Sequence, residues 1–77
     1  MIMRDLIIST IEQNFRDGYQ EIGRNICATI AYPHPILATL NDIENNHRHE
    51  LLNPWLKSLT DEQLLGVLES QHCEMYR

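Results

Sequence analysis

With 77 residues the chain forms one domain, 1–77, with a core of limited size; at that size a partner, a metal or a disulfide often adds stability. Eleven acids against six Lys and Arg leave a formal net charge of −5, which disfavours a phosphate backbone as partner unless the bases cluster. An apolar share of 43% argues against a disordered chain, and no run approaches the ~18 apolar residues of a membrane span.

The first predicted element starts near Met3. Apolar residues fall at Ile8, Ile11, Phe15, Tyr19, Ile22, Ile26 and Ile30, in steps of three and four that keep one helix face in phase. The pattern predicts a helix over 3–31, with Glu12–Arg16 and Glu21–Arg24 as favourable pairs on its surface. Gly18 and Gly23 oppose it, each at about 1 kcal/mol in a helix interior, and Asp17-Gly18 is a common turn pair. Two helices breaking near Gly18 are therefore the alternative.

An unbroken helix of that length would be a rod of roughly 43 Å. A compact chain of this size is roughly 30 Å across. The overhanging stripe would then need a second chain, which is the argument for a homodimer.

Pro33 and Pro35 end the first element, and Pro35 suits the first turn of a new one. Ile36, Leu40, Ile43, His47 and Leu51 make a second stripe, so the next helix is expected over 35–52. The short link predicts an antiparallel helical hairpin. Asn53 and Pro54 read as the start of a single turn reaching Ser58. Thr60 and Gln63 have the spacing of a capping box, with Asp61 and Glu62 in the first turn of a last helix over 61–75. No alternating run asks to be a strand. The expected fold is all-α, a small helical bundle built on the 3–31/35–52 hairpin plus the C-terminal helix.

Chemistry is sparse. His47 and His49 are two apart and diverge on a helix, as do the adjacent His72 and Cys73, and no Cys-x-x-Cys or His-x-x-x-His occurs. A metal site assembled through the fold from His34, His47, Cys27 or His72 is the second alternative. Cys27 beside the stripe reads as a small buried hydrophobe, Cys73 lacks an oriented base, and Asp17 with Glu21 reads as solvated surface. There is no glycine-rich phosphate loop. The expectation is no enzyme, no cofactor, no bound metal and no small-molecule substrate. The N-terminus lacks the apolar stretch of a signal peptide, so a cytoplasmic protein with reduced thiols is expected.

A DNA-binding helix-turn-helix is the first alternative. Residues 20–26 have the character of its first helix, but the expected second helix carries Asp42 and Glu44 toward phosphates. Arg4, Arg16 and Arg24 form no stripe. The reading preferred from sequence is a non-enzymatic protein–protein interaction module, a small acidic regulator, adaptor or inhibitor. It would act as a homodimer or bound to a partner protein. Its expected interface is Ile8, Ile11, Phe15, Tyr19, Ile22 and Ile26 of the first helix, with Trp55 as an anchor.

Overall fold

The computed structural model describes residues 3–26 and 35–76. These residues form four helices: α1 Met3–Arg16, α2 Pro35–Asn46, α3 His49–Ser58 and α4 Asp61–Met75. The all-α bundle is as expected, and among the described residues there is no strand. Three of the helix boundaries differ from the sequence reading, each for a local reason.

The first helix stops at Arg16, not near residue 31. Gly18 adopts φ +104°, a left-handed conformation that glycine enters without a Cβ penalty. Its N–H donates to the Phe15 carbonyl (3.2 Å), and the Tyr19 N–H donates to the Asn14 carbonyl (3.0 Å). That pair of bonds is a Schellman ending, which satisfies carbonyls the helix would otherwise leave open. Residues 20–25 then run outside any helix. Residues 27–31 of the expected helix lie outside the described residues.

The second expected helix is two helices. His47 takes φ 52° and the Arg48 N–H donates to the Ile43 carbonyl (3.3 Å), closing α2 at Asn46. The chain restarts at His49, and α3 runs straight through Asn53-Pro54. Pro54 is therefore an interior residue, not the start of a turn. The acceptor it cannot serve is the carbonyl of Glu50 in the exposed first turn, where water can replace it.

The last helix matches its prediction. Thr60 Oγ1 accepts from the Gln63 N–H (3.2 Å) and Gln63 Oε1 accepts from the Thr60 N–H (3.0 Å). The capping box is complete, and Asp61 and Glu62 lie in the first turn beside the positive end of the helix dipole.

The packing differs from the expected hairpin. The main neighbours of α1 are α4 and α3, and α2 packs on α3. Arg4 meets Asp61 and Asn14 meets Gln71, both at a sequence separation of 57, so α1 and α4 run parallel in constant register. Their apolar faces, with Ile11 and Phe15 on one and Leu64 and Val67 on the other, enclose a core completed by Ile43 and Leu56.

Residues 19–25 are drawn into this core by side chains rather than by a helix. The N–H of Glu21 donates to Glu74 Oε2 (2.8 Å), that of Ile22 to Glu44 Oε1 (2.7 Å) and that of Asn25 to Ser70 Oγ (3.0 Å). Ile22 and Ile26 are fully buried as a result. Gly23 lies so close to α2 that a Cβ there would stand 2.8 Å from Leu40 Cδ2. Gln71 is fully buried too, and its polar atoms are used. Nε2 donates to the carbonyls of Ile11 (3.0 Å) and Tyr19 (3.2 Å), and Oε1 accepts from Asn14 Nδ2 (3.2 Å).

Candidate functional site

The seven residues expected at an interface come together inside the chain. Ile8, Ile11 and Phe15 are on the inward face of α1, Ile22 and Ile26 come from the segment after it, and Trp55 sits on α3. All six are buried, and Tyr19 is half-buried. The overhang that argued for a second chain does not arise. A 14-residue α1 is about 21 Å long and fits within a molecule measuring 28 × 28 × 24 Å. The stripe is covered by α3 and α4 of its own chain.

The DNA-binding alternative loses its first helix, because residues 20–25 are not helical. The described arginines also face carboxylates of the same chain. Arg4 pairs with Asp61 (2.7 Å), Arg16 with Glu12 (4.0 Å), Arg24 with Glu21 (2.8 Å), and Arg48 with Glu50 (2.6 Å) and Asp42 (3.4 Å). The hydrogen bond from Arg48 holds the Glu50 carboxyl below the usual carboxylate range, and Glu50 raises Arg48 in return.

Histidine and cysteine positions bear on the metal alternative. Among the described residues no group of three His, Cys, Asp or Glu is placed to hold a metal ion. His47 was expected on the apolar stripe of the second helix; it is exposed at the left-handed corner instead. His49, also exposed, meets the buried Phe15 edge-on with ring centroids 4.7 Å apart. His72 stacks on Tyr76 at the exposed end of α4, and the half-buried Cys73 is a free thiol. Cys27 and His34 lie outside the described residues. No helix among the described residues is long and apolar enough to cross a membrane.

Among the described residues an open groove lies between α2 and α3. Pro35, Ile36 and Thr39 form one wall, and Leu51, Pro54, Trp55 and Ser58 form the other. Its volume of about 470 Å³ falls in the range of ligand and side-chain pockets, and most of its surface is apolar. Among the described residues no ionisable side chain lines it. Ser58 Oγ donates to the Trp55 carbonyl (2.6 Å), which turns that hydroxyl back onto its own helix. Among the described residues the Trp55 indole N–H finds no acceptor, and it is sealed from solvent.

Of the expected interface residues only Trp55 borders this groove. Sequence reasoning took Ile36 and Leu51 for core and the two prolines for helix starts. The available signal was that Pro35 and Pro54 bring apolar surface without an N–H donor to two neighbouring helices.

Compared with known protein families, characterised proteins and solved structures, the chain matches none. Fold and groove together define a class only: a small acidic all-α bundle with one apolar cleft described between two of its helices.

Proposed function

We propose that this protein is a non-enzymatic protein–protein interaction module, a small acidic regulator, adaptor or inhibitor that seats an apolar side chain of its partner in the α2–α3 groove. The observation that carries this reading is the chemistry of the groove lining. Catalysis needs a nucleophile, acid or base within reach of a substrate, and the described residues of the groove lining offer none that is ionisable. Apolar walls around a tryptophan are instead what a partner's anchoring side chain buries against. The partner is another protein or a second copy of the chain. Residence in the cytoplasm goes with this reading.

Thr39→Arg tests it. Thr39 is half-buried in the groove wall, so a long cationic side chain there blocks the cleft while leaving the core residues in place. Leu65→Arg, on an exposed position of α4, serves as control. Affinity capture with the three proteins should retain a partner on the native chain and on Leu65→Arg and lose it on Thr39→Arg. Equal retention by all three removes the groove from the reading. Light scattering across a concentration series separates the two partners. A mass near twice 9.1 kDa that Thr39→Arg returns to the single-chain value identifies the second copy as the occupant.

A further inference from the structure

We draw no further inference here: the strongest candidate, the outward face of α4 where Leu65 and Tyr76 stand exposed beside Glu62 and Glu69, carries nothing because the structure does not show what covers it.

Discussion

The α1–α4 seam and the α2–α3 pair are held by different means. Along the seam, polar side chains fix the register at both ends. The Arg4 guanidinium fills the α3–α4 corner, donating to Asp61 and to the carbonyls of Lys57 and Leu59, and Gln71 ties α4 to the end of α1. Between α2 and α3 the contacts are apolar, and the hydrogen-bonded ion pairs of Arg48 lie at the exposed corner. Buried hydrogen bonds specify one arrangement because every alternative leaves a polar group without a partner. Apolar contact tolerates small rearrangements far better. By this argument the Gln71 end of the seam, where the bond to the Ile11 carbonyl is buried, is specified more tightly than the exposed Arg4 end or the apolar α2–α3 contact.

The sharpest way to break the contrast is Gln71→Ala. It leaves a cavity and takes hydrogen bonds from Asn14 and from the Ile11 and Tyr19 carbonyls, so a loss of about 3 kcal/mol is expected in urea unfolding. A loss under about 1 kcal/mol would mean the seam is not held by its polar bridge. Next is Gly23→Ala. The added methyl meets Leu40 and Glu44 on α2, and overpacking there should cost about 2 kcal/mol, read as a lower urea midpoint at unchanged slope.

Two substitutions should stabilise. His47→Gly relieves the left-handed backbone at the α2–α3 corner and should add about 1 kcal/mol; a lower melting temperature would contradict that account of the corner. Gly66→Ala should add about 0.5 kcal/mol through helix propensity, since its methyl would stand 3.7–3.8 Å from the backbone of Asn25 and Ile26, an ordinary contact. Thr39→Arg should change stability least, within about 0.5 kcal/mol, so that thermal melting of this variant shows whether its loss of binding is specific.

How far the sequence could be read depended on the range of the interactions. The start of α4 was legible because Thr60 and Gln63 cap it within one turn. The ends of α1 and α2 were obscured by coincidences of phase. Ile22 and Ile26 continue the spacing of Ile8, Ile11 and Phe15, yet they reach the core along a non-helical path held by Glu44, Glu74 and Ser70. The competing signal, Asp17-Gly18, was the correct one. Histidine, like asparagine and aspartate, is enriched in the left-handed region, so Asn45-Asn46-His47 was a turn signal that the helical spacing of the second stripe outweighed. The role of Gln71 was not legible because its hydrogen-bond partners are 52 to 60 residues away. The groove is likewise a product of two helices meeting, and only Trp55 stood out beforehand.

The constant separation of 57 between α1 and α4 also bears on the order of folding. During synthesis α1 is made first and its principal partner is the last of the four helices to be completed. The apolar face of α1 has no α4 to close against until nearly all the described chain exists. Closing so long a loop costs more entropy than pairing neighbours would, although the cost grows only with the logarithm of length. A bundle of local hairpins would assemble faster at equal stability. Closure of the α1 face against its principal partner waits for α4, and a nascent chain interrupted before α4 would still present Ile11 and Phe15 to whatever meets it first.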